Sequence, residues 1–339
     1  MATDRPDRRV TLADIAARTG YSRAHVSLVL RGAPGASEES RARVLAAARD
    51  LGYRPDARAR ALAGQRSWSM GVMFGQASTF HLDLIDGVYS AVESRGYSVV
   101  LSAMTPRRDE AQALATLNDF RTDGLFMLGP ATANPVLAGR RPVAVIGWHV
   151  DDPTVDSVYT SDAQGIDTAI AHLSDLGHRR IAHIDGGDGL IAQSRRACYM
   201  ASMRSRGLAD GIEVYSGGET QLAGQRAALE LIHGPQRPTA VLCYNDDVAV
   251  AAIPILEHHG LSVPGDVSVV GWDDTALAQV SPVPLTTVRQ EPAMLAEAAF
   301  SRLIARIDGM VEENGTADVV LEARLMVRGS TARPPELLT

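Results

Sequence analysis

Two sets of side chains carry the chemistry in this chain of 339 residues. The first lies near the N-terminus, in the segment SRAHVSLVL. At helical spacing Val26, Val29 and Leu30 share one face, and Ser22, Arg23, Ala24, His25, Ser27 and Leu28 share the other. Arg23 and His25 are donors suited to the acceptor edge of guanine, while Ala24 and Leu28 offer apolar contact, as to a thymine methyl. The second set stands at the ends of apolar runs. Asn245 and Asp246 follow AVLCY, Trp272, Asp273 and Asp274 follow SVVG, and Gln290 follows LTTVR. Carboxylates and amides take the vicinal hydroxyls of a sugar, and an indole covers the apolar face of the ring. Asn245 and Asp273 are expected to touch such a ligand, whereas Asp246 and Asp274 are expected to cap helices.

The elements around the first set read as a small helical head. Ala16, Gly20, Val26 and Val29 have the spacing of a helix-turn-helix: a small residue where two helices meet, a glycine at the left-handed turn, and two branched residues pinning the second helix. Thr11 is the expected N-cap of the first helix, with Asp14 in the capping-box position and Leu12, Ile15 and Ala16 inward. Ser22 caps the second helix. Ser37 caps a third, with Glu38 and Glu39 in its first turn, Val44, Leu45, Ala48 and Leu51 as core stripe, and Gly52 at its end. Tyr53-Arg54-Pro55 then breaks the helix. Asp56 can cap a two-turn segment, Ala57 to Ala63, ended by Gly64. So short a helix, with little to bury, is not stable alone in water.

Charge separates this head from the rest. Residues 1–66 hold 13 Arg against 7 Asp and Glu, a net +6, and the remainder holds 20 Arg against 33 acids, a net −13. A basic head on an acidic body is the asymmetry expected when the head alone meets phosphate. The chain contains no lysine. Arginine suits bidentate contacts to phosphate and guanine, although a compositional bias accounts for its exclusive use as well.

From Ser69 to about Arg328, short apolar runs (SMGVMF, YSVVLS, DGLFML, PVAVIG, RIAHIDG, TAVLCYND, DVSVVGWDD) alternate with amphipathic stretches such as LDLIDGVYSAVESRG. This pattern predicts an α/β body of two doubly wound parallel sheets, with ligands beyond the carboxyl ends of the strands.

Several classes are disfavoured. No apolar run approaches the ~20 residues of a membrane span, and MATDRPDRR has no apolar core after its charges, so neither a membrane nor an export route is expected. Cys198 and Cys243 are expected to be free thiols of a reducing cytoplasm. No histidine has metalloprotease spacing, and GGDG at 186–189 lacks a nucleotide-binding follow-up, so no metal, cofactor or catalytic residue is expected.

VTLADIAARTGYS and LGYRPDARARALAG resemble the opening and the hinge of the lactose-repressor (LacI) family of bacterial transcription regulators, and the likeness runs to about residue 330. The resemblance implies a type I periplasmic-binding-protein-like body. It divides the chain into a DNA-binding head (1–55), a hinge helix and linker (56–66) and an effector-binding, dimerising body (67–339). The body's N-lobe takes about 67–161 and 292–319, and its C-lobe about 162–291 and 320–331. It implies that the hinge folds on operator DNA, with Arg58, Ala59 and Leu62 meeting it and Leu62 wedging into the minor groove. Thr11 and Arg31 join the base-reading helix as DNA contacts. Leu28 stands where the family often has Arg, and Arg31 where it often has Asn, so the operator should differ from that of the founding member.

In the body, the resemblance puts Asn245, Asp273 and Gln290 on inducer-holding positions. Arg195 matches the arginine of an R-x-x-G-[YF] motif whose glycine is Cys198 here. Phe80 and His81 stand where the family often shows aromatic residues. Trp272 completes the expected site, and Asp162 is expected to cap a helix at the lobe crossover. The reading is a cytoplasmic repressor controlled by a small-molecule effector, a sugar. With only STARPPELLT after Gly329, it is expected to be a homodimer on double-stranded operator DNA. The alternative is a sugar-binding or sugar-processing protein on the same body, without a DNA role. Residue types leave open which sugar, or whether a purine or another metabolite, is the effector, and whether it releases or promotes DNA binding.

Overall fold

The computed structural model describes residues 10–30, 34–53, 66–75, 78–129, 141–234, 236–311 and 318–335. The chain divides into two compact units, Met1–Ser67 and Trp68–Thr339.

The first unit contains α1 (Leu12–Thr19), α2 (Arg23–Leu30) and α3 (Glu38–Asp50). Their shared core is Ile15, Val26, Val29, Val44, Ala47 and Ala48, with Leu12, Ala16, Leu30 and Leu51 packed at its edge. The turn between α1 and α2 needs a glycine: Gly20 sits at φ 77° while its N–H donates to the Ala16 carbonyl at 2.8 Å. The Asp14 carboxylate accepts both the N–H and the hydroxyl of Thr11 at 2.7 Å, and Ser22 Oγ accepts the His25 N–H at 3.1 Å. Ser37 caps α3 by accepting the Ser40 N–H. Leu45, expected in the core stripe of α3, is instead 40% exposed, because Val44, Ala47 and Ala48 already fill the inward face.

The second unit holds two six-stranded sheets. The first orders its strands β2 (Ser98–Ala103), β1 (Ser69–Phe74), β3 (Gly124–Leu128), β4 (Val143–Ile146), β5 (Val155–Thr160) and β11 (Val319–Leu321), all parallel. Helices α4 (Thr79–Ser94) and α11 (Pro292–Ile307) pack on one face, where Phe300 of α11 joins Met70, Val72 and Phe126 of the sheet. The other face is covered by α5 (Glu110–Asp119), whose Leu117 joins Met73, Leu125 and Trp148. Burial on both faces is why β1 and β3 read as unbroken apolar runs.

The second sheet orders β7 (Ile212–Tyr215), β6 (Ile181–Ile184), β8 (Ala240–Cys243), β9 (Ser268–Asp273), β10 (Thr286–Arg289) and β12 (Arg324–Met326). Its helices are α6 (Asp162–Asp175), α7 (Leu190–Ser205), α8 (Gln221–His233), α9 (Asp246–His258) and the short α10 (Ala276–Val280). Both lobes are the expected doubly wound parallel-sheet units, with one antiparallel pairing, β12 against β10. The chain leaves the carboxyl end of β11 and reaches β12 through Glu322 and Ala323, a link too short to carry it to the far end of the other sheet.

Three crossings join the lobes: from β5 into α6, from β10 into α11, and from β11 into β12. The last, expected after about residue 319, falls between Leu321 and Arg324. Two buried carboxylates tie elements together, one within each lobe. Asp156 is gripped by Arg302 and Arg306 of α11, and Asp274 by Arg289 and Arg328, all at 2.5–2.7 Å. Among the described residues no helix is long and apolar enough to cross a membrane.

Candidate functional site

In the head, Thr11, Ser22, Arg23 and Ala24 are exposed, and His25, Ser27 and Leu28 are half-buried. The exposed side of α2 therefore begins with its first turn, the part of such a helix that meets base edges. The His25 ring lies against Tyr21, centroid to centroid 4.8 Å, which restrains its reach compared with Arg23. Arg31, Arg58, Ala59 and Leu62 lie outside the described residues.

In the body, the carboxyl ends of both sheets face a common cleft with a cavity volume of about 150 Å³, open to solvent at its mouth. One lobe contributes Ser78, Phe80, His81, Gly129 and Gly147. The other contributes Ile191, Arg195, Glu219, Tyr244, Asn245, Asp273 and Gln290. The lobes also touch directly: Leu190 and Ile191 pack on the first lobe's cluster around Trp148, and Thr79 donates to the Asp247 carboxylate of the second lobe at 3.4 Å.

Arg195 is the most heavily supported of these side chains. Its Nε donates to Asp162 Oδ1 at 3.1 Å and its Nη1 to the Tyr244 carbonyl at 2.7 Å. Its guanidinium carbon lies 4.2 Å from the Trp272 ring centroid and 4.8 Å from that of Tyr244. Asp162 was expected to cap α6, but Ser161 does so, by accepting the Gln164 N–H. Asp162, one residue into the helix, points its carboxylate to Arg195 and Ser194.

Asp273 ends β9 at φ 113° and Asp274 follows at φ 58°. Two consecutive non-glycine residues in the left-handed region store strain, and the surroundings hold them there. Asp273 Oδ1 accepts the Gln290 amide at 2.7 Å, and burial pushes its carboxyl well above the usual range, against the pull of Arg195. Asp274, expected as a helix cap, is instead fixed by Arg289 and Arg328. Asp246, also expected as a cap, ties three strands' ends together. Its carboxylate accepts the Thr275 N–H at 2.7 Å, the Thr275 hydroxyl at 3.0 Å and the Thr287 hydroxyl at 2.6 Å. The capping role falls to Asn245, whose Oδ1 accepts the Val248 N–H at 2.8 Å and whose Nδ2 donates to the Glu219 carbonyl at 3.0 Å. Asn245 lines the cleft with both amide atoms already engaged.

Trp272 was expected to stack on the ligand, but it is fully buried and absent from the lining. Alternation along β9 turns it away from Asp273, into a notch left by Gly165, where a Cβ would lie 2.6 Å from the indole. The aromatic faces in the cleft are Tyr244 and Phe80. His81 accepts the Ser78 N–H on Nδ1 at 3.4 Å, and burial lowers its pKa, so its neutral ring keeps Nε2–H as donor beside Gly129.

Tyr244 and Glu219 escaped the sequence reading. Tyr244 directly precedes Asn245 at a strand's carboxyl end, so the rule that found Asn245 applies to it equally. Glu219 follows the weakly apolar β7, whose half-exposed pattern gives little signal.

Residues 11–56 match the family described as bacterial regulatory proteins, lacI family, and residues 170–331 match the periplasmic binding protein-like domain. The chain is 35% identical over 309 residues to the ribose operon repressor of Escherichia coli K12, covering 88% of this chain and 93% of that one. Among solved structures it is similar to the lac repressor dimer bound to operator and the anti-inducer ONPF, with a TM-score of 0.81 at 28% identity over 96% of this chain and all of that one. It is also similar to the complex of the transcriptional regulator CelR with cellobiose, with a TM-score of 0.69 at 29% identity over 95% of this chain and all of that one. The match over the head removes the alternative of a sugar-binding protein without a DNA role. The chain belongs to the lacI family of bacterial regulatory proteins, DNA-binding transcription regulators controlled by a small-molecule effector.

Proposed function

We propose that this regulator is a homodimeric repressor whose heads read a pseudo-palindromic operator through α2 and whose cleft takes a sugar as effector. The observation that carries the effector reading is the convergence of Arg195, Asp273, Gln290 and Glu219 with the rings of Tyr244 and Phe80 between the lobes. Polar groups that donate and accept beside aromatic faces suit a ligand with a hydroxylated rim and an apolar ring face. The regulator CelR, solved with cellobiose, supports the same class.

The head supplies the DNA part. Arg23 stands exposed in the first turn of α2 and is assigned to a base edge, with Ala24 and Leu28 as apolar contacts, Thr11 and Ser22 toward phosphate, and His25, Ser27 and Arg31 beside them. Arg58, Ala59 and Leu62 are assigned to the minor groove at the operator centre, as the hinge motif implies. A regulator of this kind works where the chromosome is, in the cytoplasm.

The switch follows from the two lobes. A ligand that bridges them favours one relative placement, and only its difference in affinity between the two placements moves the DNA equilibrium. The test pairs two measurements on the full-length protein. A thermal-shift screen over pentoses, hexoses and disaccharides identifies a ligand. Retardation of the DNA upstream of the protein's own gene, with and without that ligand, then reads the switch. Stabilisation by a sugar together with a sugar-dependent change in retardation supports the proposal. Stabilisation by purines alone would replace the sugar with a base.

A further inference from the structure

The cleft has an unbalanced charge. Among the described lining residues Arg195 is the one guanidinium, and it is already bonded to Asp162 and the Tyr244 carbonyl and stacked between two rings. His81 is neutral. Against these stand two carboxylates, Asp273 on the floor and Glu219 at the mouth. Burial raises both above the usual carboxylate range, Asp273 the more, because it is enclosed while Glu219 keeps contact with solvent. Glu219 therefore presents its carboxylate at the solvent-exposed mouth of the cleft.

Its position is fixed from both sides. The Glu219 carbonyl accepts the Asn245 amide at 3.0 Å. The preceding loop is tied to Asp185, which accepts the Gly217 N–H at 3.2 Å and, on its carbonyl, the Gly218 N–H at 3.0 Å. Asp185 is itself paired with Arg196 at 2.6 Å. The side chain reaches toward the Tyr244 hydroxyl at 3.5 Å, which leaves its second oxygen to accept from a ligand.

We propose that Glu219 is the specificity-determining residue that restricts this cleft to neutral sugars, accepting their hydroxyls and repelling carboxylated and phosphorylated ones. The proposal rests on the reading of the cleft as a sugar site and adds the charge class. Among the described lining residues no second guanidinium accompanies Arg195, whose charge already serves Asp162, so an anionic sugar meets the Glu219 carboxylate at a short distance.

The experiment is calorimetric titration of the full-length wild type and Glu219→Gln with sugars paired to differ in charge alone. Glucose is set against glucuronate, galactose against galacturonate, and ribose against ribose 5-phosphate, within a wider panel of neutral pentoses and hexoses. Glu219→Gln keeps the shape of the side chain, and matched melting curves establish that it folds. The expected result is that the wild type binds a neutral member at least tenfold more tightly than its anionic partner, and that Glu219→Gln reduces this ratio at least fivefold. A wild type that binds an anionic member as tightly as its neutral partner, or a ratio unchanged in Glu219→Gln, overturns the charge selection and leaves the sugar site standing. Binding of no sugar in the panel overturns the sugar reading and this proposal with it.

Discussion

The Trp272 indole lies 4.2 Å beneath the Arg195 guanidinium, so the tryptophan supports a residue that faces the cleft rather than facing it itself. A cation over a desolvated aromatic face contributes about 1–2 kcal/mol. Trp272→Leu should therefore weaken the effector by about tenfold, through Arg195, while Trp272→Phe keeps a ring in place and loses less. Calorimetric affinities of the two variants check this. Equal losses in both would show that volume in the notch beside Gly165, and not the ring, is what matters.

Arg23→Ala should relax base preference at one position in each half-site. Arg23 is exposed at the start of α2 and has no ring stacked on it, unlike His25. A bidentate contact to guanine discriminates by roughly 1–3 kcal/mol. Binding to single-base operator variants is the measurement. Uniform weakening with an unchanged preference profile would assign Arg23 to phosphate.

His183 makes the body sensitive to acid. Its ring is fully buried against Tyr199, Nδ1–H donates to the Leu242 carbonyl at 2.9 Å, and burial holds its pKa down to about 4. A base depressed on folding leaves the unfolded chain binding more protons between about pH 6.5 and 4, so stability is full above that window and falls with pH through it. From near pH 7.5 to near pH 5 the loss through this group is about 2 kcal/mol. His183→Leu should be less stable than wild type near pH 7.5, for want of the hydrogen bond, and the gap should narrow near pH 5. Urea unfolding at both pH values reads the difference, and a gap that stays constant would contradict the assignment.

Much of the fold was legible from the sequence. Apolar runs such as GLFML and AVIG lie in strands buried on both faces, and Gly20 and Ser37 mark helix boundaries by local chemistry that tertiary packing does not override. The strands β5, β7, β11 and β12 were not distinguished, because they lie at or near sheet edges or mix polar residues into their runs. The polar residues of the cleft were legible as positions and less so as roles. Neighbours in sequence at a strand's end point to different sides, so Asn245 took the cap meant for Asp246, and Asp273 took the cleft while Trp272 took the core. Spacing does not encode which way a residue turns when the backbone enters the left-handed region, as it does at Asp273 and Asp274.

In the proposed function, Arg195 and Asp273 carry the effector's influence without touching DNA. Removing either leaves buried polar groups unpaired, costing roughly 1–3 kcal/mol and more for a charge, so the effector loses its preference for one placement of the lobes. The direct measurement is a titration of the most stabilising sugar against preformed protein–operator complex for wild type, Arg195→Ala and Asp273→Ala. Near-wild-type operator affinity is expected in both variants, with a response midpoint displaced at least tenfold or absent. Wild-type midpoints in both would contradict this and move the ligand to another part of the molecule.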